Sequence, residues 1–229
     1  VLCGMTGTAW LSRREFRRVY RLPVDVIPTH RPCLRRSEPA RIFATQQSKR
    51  EAIAIDVRRR IECGQAVLIG TPSVTASEAL SLVLAATGIE HEVLNCHKHA
   101  EEAAIVSRAG THRRVTVATN MAGRGTDILL EDTVRRAGGL HVIITDRHSS
   151  RRIDRQLAGR AARQGDPGSF QFFLSFEDEL LTALQQRARE RLLDRAQSSS
   201  GRDGELTTSW DRILRRIQRQ VERLQIVQR

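Results

Sequence analysis

The spacing of apolar and polar positions changes along the chain, and each change marks a predicted element. Ile53, Val57 and Ile61 recur every fourth residue, which predicts an amphipathic helix that ends at Gly64. The continuous apolar run at 66–69 predicts a short buried strand. A second helix is predicted to begin near Ser73 and to end at Gly88.

The same alternation continues through the middle of the chain. It predicts strands at 92–94, 115–119, 140–145 and 170–174, and helices at 100–109 and 150–163. Strands that alternate with helices at this spacing predict an α/β fold with a parallel sheet covered on both faces. Because ligands bind at the carboxyl ends of the strands in such sheets, the chemistry is expected in the loops after Ala118 and before Gln156.

The two ends of the chain differ in composition from the middle. Residues 1–40 form a preamble, in which alternating β-branched residues predict a strand at 24–27, closed by Pro28 and Pro32. A domain is predicted at 41–178 and an arginine-rich helical extension at 179–229, with a flexible break at 198–201. In the extension five apolar residues share one helical face: Trp210, Leu214, Ile217, Val221 and Leu224. That helix either docks on its own domain or binds a partner.

The net charge of +12 favours an anionic partner, such as nucleic acid, acidic lipid headgroups or polyphosphate. Lys49 and Lys98 are the only lysines among 38 basic residues, so genomic base composition explains the arginine excess equally well. The four cysteines are widely spaced and form no CxxC pair, which suits a reducing, cytosolic compartment. The residues Cys96, His97 and His99 could bind a metal, but no fourth ligand is apparent, so no metal site is expected.

The sequence shows no signal peptide and no apolar run long enough to cross a bilayer. It begins with Val rather than Met, from which we expect a fragment or a trimmed form of a longer protein. Whether it is a fragment or a natural split subunit is left open by the sequence.

Residues 119–127 follow a predicted buried strand and carry candidate ligand-binding groups. Gly123 and Gly125 let the backbone approach a ligand closely, and Arg124 offers a planar set of donors for phosphate or carboxylate. Asp127 can accept hydrogen bonds from a ribose hydroxyl or from another arginine. A tight turn with a solvated arginine would have the same local sequence.

Residues 156–166 form the second candidate segment. Arg160 and Arg163 are three residues apart on a predicted helix, so both are expected on one face. Two guanidinium groups side by side can stabilise the charge that develops on a transferring phosphoryl group. An ordinary surface helix is the alternative, but two such segments, each after its own strand, favour a phosphate site.

Six short segments together resemble SecA, the motor of bacterial protein export. They are residues 4–9, 27–32, 119–128, 138–143, 150–154 and 164–169, and the resemblance covers about residues 2–180. It implies a RecA-like second motor domain, with ATP bound in the cleft between two motor domains.

The resemblance also implies roles for the candidate residues. Arg160 and Arg163 would be arginine fingers, and segment 4–9, with Gly7 and Thr8, would couple the two motor halves. The nucleotide would contact residues of both candidate segments: Gly123, Arg124, Gly125, Asp127 and Gln164.

The sequence departs from the family pattern at several points. Ala158 stands where the family usually has Arg, and Ala162 where it usually has Gly. No GxxxxGK[ST] phosphate-binding loop is present at either lysine. The acidic run at 177–179 follows an apolar strand, but by the resemblance it is a structural strand end. We therefore expect no ATP hydrolysis by this chain alone, with Mg²⁺ and the phosphate cradle supplied through a first motor domain.

The partners that the resemblance implies are that first motor domain, the SecYEG translocon and preproteins, with an acidic lipid surface as a further candidate. The implied location is cytoplasmic and peripheral at the inner membrane. The tail from Trp210 resembles the start of the family's long scaffold helix, with the signal-peptide clamp and zinc tail expected to be missing. Two other functions stay open: a superfamily 2 nucleic-acid helicase lobe, and a non-catalytic remnant or binding module. A single Tyr and two Trp offer few surfaces for base stacking, which argues against nucleic acid.

Overall fold

The fold was analysed in a computed structural model that describes residues 3–94, 99–119, 127–201 and 203–227. The strands are β1 (Arg35–Ser37), β2 (Arg41–Phe43), β3 (Val67–Thr71), β4 (Glu92–Leu94), β5 (Val115–Thr119), β6 (Leu140–Ile144), β7 (Gly168–Ser175) and β8 (Glu205–Leu206). The α-helices are α1 (Arg13–Glu15), α2 (Gln46–Glu62), α3 (Val74–Ala86), α4 (His99–Arg108), α5 (Asp132–Arg136), α6 (Arg151–Ala158), α7 (Gln186–Ser199) and α8 (Asp211–Val227). Short 3₁₀ or π turns lie at Ala9–Ser12, Phe16–Tyr20, Glu179–Ala183 and Thr208–Trp210.

The strands form one sheet in the order β4-β5-β3-β6-β7-β2-β8, and β1 pairs with β7 beside β2. All pairs are parallel except β2 with β8. The chain leaves each central strand through a helix before it enters the next strand, as parallel pairing requires. The predicted α/β fold with a mostly parallel, helix-covered sheet is therefore confirmed.

Alternate residues of the strands face opposite sides of the sheet, and each side has its own apolar cluster. Leu68 of β3 points to a cluster that includes Val106, Val134 and Leu157 from α4, α5 and α6. Its neighbours Val67 and Ile69 point to the other cluster, which receives apolar residues of α2 and α3. Burial on both faces explains why these strands appear in the sequence as continuous apolar runs.

The predicted end of α2 and both predicted ends of α3 were correct. Thr45 and Ser73 cap α2 and α3, and each side-chain oxygen accepts a backbone N–H in the first turn. Gly64 and Gly88 follow the two helices with φ angles of +81° and +72°. The first four N–H groups of a helix have no acceptor within the helix, and a short polar side chain just before the helix can supply one. Such residues therefore predict where a helix begins.

A third cluster joins the helical extension to the sheet. Trp210 contacts the ring of Phe176 edge-on, with 5.0 Å between the ring centroids, and Leu214 and Ile217 are buried beside it. The apolar face of α8 therefore docks on its own domain, although Leu224 at its far end is 55% exposed. The predicted break at 198–201 is instead the end of α7, after which the Gly201 N–H donates to the Glu205 carbonyl at 3.2 Å.

The strand predicted at 24–27 is wrong. That segment pairs with no strand among the described residues, and Val26 and Ile27 are 67% and 78% exposed. The paired segment is β1, a polar run of Arg35–Ser37 that no hydrophobic pattern marks. Both β1 and β2 pair with β7, so pairing with the edge of β7 decides which residues form strands here. The predicted boundary between the preamble and the domain, at residue 40, falls between β1 and β2.

Candidate functional site

The strands β5 and β6 end at the same edge of the sheet. The strands β5, β3 and β6 are neighbours and run parallel, so their carboxyl ends lie side by side. The loop after β6 leads through α6 to residues 159–165, which we name the arginine loop. This edge is where ligands bind in open α/β sheets.

The arginine loop is not part of a helix, so the prediction that Arg160 and Arg163 share one helical face is wrong. Helix α6 ends at Ala158, and the next bonds form turns, with the Arg160 N–H donating to the Leu157 carbonyl at 2.9 Å. Ala162 and Gln164 both have a φ of +53°, and this left-handed backbone cannot continue an α-helix. The chain turns here because it must return into β7 while Ala161 is fully buried in the core.

Three of the predicted site residues contact one another. Arg163 donates from Nη1 to Oδ1 of Asp127 at 2.7 Å, and Gln164 donates from Nε2 to Oδ2 of the same carboxylate at 2.6 Å. The side chains of Arg163 and Asp127 are 39% and 37% exposed, so this contact can exchange with solvent or with a ligand. The structure thereby joins two segments that lie 36 residues apart in the sequence.

The segment at 27–32 also reaches this contact. Arg31 donates from Nη1 to the carbonyl oxygen of Gln164 at 3.2 Å, and Arg35 donates from Nε to that of Ala161 at 3.0 Å. These arginines hold the arginine loop by its backbone. They form one wall of an open cavity of about 800 Å³ that Asp127, Arg163 and Gln164 also line.

A second cavity, of about 440 Å³, is also lined by residues of the arginine loop. Arg160 and Arg163 line it together with Arg35 and Arg155. Gly7 and Thr8 of the preamble lie on the same wall. The volume is in the range of small-molecule sites, and four arginines make the walls suitable for a polyanion.

Several predicted residues fall outside the described part of the chain. Gly123, Arg124 and Gly125 lie in the interval 120–126, and Cys96 and His97 lie in 95–98. His99 opens α4, but its side chain is not described. Within the described ranges, no group of three His, Cys, Asp or Glu side chains is placed to hold a metal ion.

The acidic run at 177–179 is used for structure, as the sequence indicated. Asp178 accepts from Lys49 Nζ through Oδ1, and its Oδ2 accepts from the backbone N–H of Ser175 at 2.8 Å. Lys49 also donates to the carbonyl oxygen of Thr145 at 2.8 Å. Both partners of the pair are buried, with side chains 7% and 5% exposed. The sequence analysis did not predict that Lys49 is buried. The available signal was its position on the apolar face of α2, four residues before Ile53.

Asp146, directly after β6, was also missed. It is only 4% exposed, and its Oδ1 has no hydrogen-bond partner among the described residues. Burial raises its pKa to about 8, and the nearby charge of Asp178 adds to that shift, whereas Lys49 opposes it. A hydrogen bond from the backbone N–H of Glu179 lowers the pKa of Asp146, and the charge of the Glu179 carboxylate raises it. Asp146 is therefore neutral over most of the physiological range.

A stability decrease with rising pH follows from Asp146. Its pKa is raised from 3.8 to about 8, so the native state binds more protons and its stability falls as pH rises. Burial lowers the pKa of His141 from 6.5 to about 4, which opposes this trend below pH 6.5. Between pH 6.5 and 8 the other resolved pKa shifts of the described residues have little effect, and we expect Asp146 to lower the free energy of unfolding by roughly 2 kcal/mol. Urea titrations of Asp146→Asn should lack this slope, whereas the exposed control Asp132→Asn should keep it.

A stabilising substitution is expected at Ala162. Its φ of +53° lies in the left-handed region that favours glycine. Glycine is also the residue that the resemblance to the SecA family implies at this position. Ala162→Gly should raise the free energy of unfolding by roughly 1 kcal/mol, as the reverse of a glycine-to-alanine change at positive φ. Ala161→Gly is the matched control, because that buried neighbour has no positive φ and should lose stability. A lower midpoint for Ala162→Gly in thermal unfolding would contradict the strain argument.

Comparison with known proteins extends these observations. Residues 32–135 and 131–201 match the sequence profile of the SecA P-loop domain. The protein translocase subunit SecA of Nitratidesulfovibrio vulgaris is 52% identical over 180 residues, which cover 79% of this chain and 21% of that protein. The subunit of Thermotoga neapolitana is 55% identical over the same length and the same shares. The chain thus spans about a fifth of the length of these curated relatives.

The structural comparison supports the RecA-like fold. The Escherichia coli DEAD-box protein SrmB, solved bound to the regulator of ribonuclease activity A, superposes with a TM-score of 0.51. The match covers 66% of this chain and 82% of SrmB at 19% identity, which shows a shared fold only. Among the described residues, no helix is long and apolar enough to cross a membrane. By its sequence match over most of its length, the chain belongs to the SecA family.

Proposed function

We propose that this chain is the second motor domain of a SecA-type protein translocase and contributes arginine fingers to an ATP site that it shares with a first motor domain. The observation that carries the proposal is the joined set of Asp127, Arg163 and Gln164 at the carboxyl edge of the sheet. In this division residues 1–40 carry the coupling motif, 41–178 the motor domain and 179–229 the first part of a scaffold helix.

The arrangement suits the stabilisation of a polyphosphate from one side. Asp127 holds the guanidinium group of Arg163 by one nitrogen, so the plane of that group is oriented before a ligand arrives. Arg160 lies on the wall of the 440 Å³ cavity that Arg163 also lines. Two arginines at one cavity can neutralise charge that develops on a γ-phosphoryl group.

The bound nucleotide would supply the phosphoanhydride bond that is broken, and the chain's own residues would orient it and stabilise charge. Gly123, Arg124 and Gly125 would add contacts from the loop after β5. The phosphate cradle and the Mg²⁺ ligands would come from the first motor domain, since the sequence contains no GxxxxGK[ST] loop. Gly7 and Thr8, which line the same cavity, would sense the position of that domain.

The partners follow from the same proposal. We expect the assembled motor to act with SecYEG on preproteins, in the cytoplasm and at the inner membrane surface. The net charge of +12 would favour contact with acidic lipid.

Reconstitution of ATP turnover tests the proposal. The chain alone should show no hydrolysis, and hydrolysis should appear when it is mixed with a separately expressed first motor domain of a SecA protein. Hydrolysis by the chain alone would reveal a phosphate site that the sequence does not predict. Absence of hydrolysis in the mixture, with both parts folded by circular dichroism, would support the binding-module alternative.

A further inference from the structure

Asp154 of α6 joins three segments through a buried carboxylate. It is 6% exposed, and its Oδ1 accepts from the backbone N–H of His148 at 3.0 Å and from the His148 ring Nδ1 at 2.6 Å. Its Oδ2 accepts from Gln218 Nε2 of α8 at 2.6 Å. Gln218 is 1% exposed and also donates to the carbonyl oxygen of His148 at 2.8 Å. One carboxylate thereby fixes α6, the loop before it and α8.

A second buried contact holds the start of α8 to the same loop. Arg147 donates from Nη2 to Asp211 Oδ1 at 2.6 Å, and its guanidinium carbon lies 4.4 Å from the ring centroid of Phe172. Its Nη1 is 3.9 Å from Oδ2 of Asp154. Asp211 and Gln218 are seven residues apart, about two helical turns, so α8 is attached at two points along one face.

Helix α6 connects this junction directly to the arginine loop. It is eight residues long, and its last turn is buried through Leu157 and Ala158. The loop begins with hydrogen bonds back to that turn, from the Arg160 and Ala161 N–H groups to the Leu157 and Ala158 carbonyls. A short rigid helix of this kind transmits a displacement at Asp154 to the backbone that carries Arg160.

Asp154 does not act on a ligand itself. Its carboxylate is occupied by His148 and Gln218, and it is absent from the described residues that line the 440 Å³ cavity. Buried carboxylates that accept several hydrogen bonds fix geometry, because leaving any donor unpaired is costly.

We infer that Asp154 is a positioning residue that ties the arginine loop to α8, so that the position of α8 sets the catalytic competence of Arg160 and Arg163. The inference rests on the proposed function for its kinetic consequence. The mechanical link between α8 and the loop can be tested without ATP.

Hydrogen exchange on the full chain tests the link. Gln218→Leu removes both hydrogen bonds that the Gln218 side chain donates, at similar side-chain volume. We expect the amides of Arg160, Ala161 and Asp166 to exchange about tenfold faster. Leu80→Ala of α3 is the control for general destabilisation, because Leu80 packs in the cluster on the opposite face of the sheet. Equal loop exchange in the two variants, after correction for their unfolding free energies, would overturn the inference.

Turnover in the two-component mixture tests the consequence. Asp154→Asn keeps an acceptor for His148 but turns an amide donor toward Gln218, so α6 should shift without loss of volume. We expect kcat to fall about tenfold with KM for ATP within twofold, since small displacements of oriented groups affect the transition state most.

The matched control for this experiment is Glu222→Gln. It removes the negative charge of the carboxylate that accepts from the backbone N–H of Arg151 at 3.2 Å and from its Nε at 2.7 Å, between the same two helices. Because the Arg151 side chain is 45% exposed, kcat should stay within twofold. An unchanged kcat for Asp154→Asn, or an equal fall for Glu222→Gln, would contradict the inference. If the unaltered mixture shows no turnover, the proposed function fails, and the exchange experiment still decides the link.

Discussion

Arg163→Ala is expected to lower ATP turnover of the two-component mixture by on the order of 10³-fold, the scale of a lost arginine finger. The same is expected for Arg160→Ala, because both side chains line the cavity of about 440 Å³. Arg163→Ala should not affect folding much, since the Arg163–Asp127 pair is more than a third exposed and such pairs contribute little to stability. The measurement is steady-state hydrolysis at saturating ATP.

Three further variants make this prediction specific. Arg163→Lys keeps the charge but loses the planar pair of donors, so most of the loss should remain. Asp127→Asn should lower turnover less, because it leaves both arginines in place and weakens the contacts of residue 127 with Arg163 and Gln164. Arg136→Ala removes an exposed arginine of α5 and should leave turnover unchanged, which separates a local role from the effect of net charge. Full turnover by Arg160→Ala and Arg163→Ala would remove the arginine fingers from the proposal.

The second large effect is expected in stability, from the buried pair of Lys49 and Asp178. Asp178→Ala removes the carboxylate that accepts from the Lys49 ammonium in an environment that is nearly closed to water, and should lower the free energy of unfolding by about 3–5 kcal/mol. For a chain of this length that corresponds to a decrease of roughly 10 °C in the midpoint of thermal unfolding. Chemical denaturation at pH 7 would measure it.

The controls separate a broken pair from a removed pair. The double substitution Lys49→Met with Asp178→Leu removes both charges and should recover much of the loss, because apolar replacements of a buried pair are often neutral. Asp132→Ala, whose side chain is 79% exposed, should change stability by less than about 0.5 kcal/mol. A loss from Asp178→Ala no larger than that control would show that water reaches the pair.

The elements of the central sheet were predictable because their signals are local. The period of Ile53, Val57 and Ile61, with Thr45 and Gly64 at the ends of the helix, depends only on residues within a few turns. The apolar strands are equally clear, since a strand buried on both faces has no polar positions to obscure it. The family motifs likewise indicated which loops carry the candidate chemistry.

The errors occurred where a distant segment decides the structure. The pattern at 24–27 has strand character, yet the edge of β7 pairs with the polar β1 instead. The helix predicted to reach residue 163 ends at Ala158, because the entry into β7 and the burial of Ala161 require a turn there. The sequence signal for that turn was Ala162, at a position where the family usually has glycine.

The sequence by itself determined the α/β architecture, the family and the two segments that carry the candidate site, since periodicity, caps and motifs are properties of short stretches of chain. Only the tertiary structure decided that Arg163 and Gln164 share the carboxylate of Asp127, that Lys49 and Asp178 are paired inside the core, and that Asp154 ties α6 to α8. Each of these contacts joins residues that are distant in sequence. The packing of the elements determines which of these residues come into contact, and the short-range sequence pattern contains no information about it.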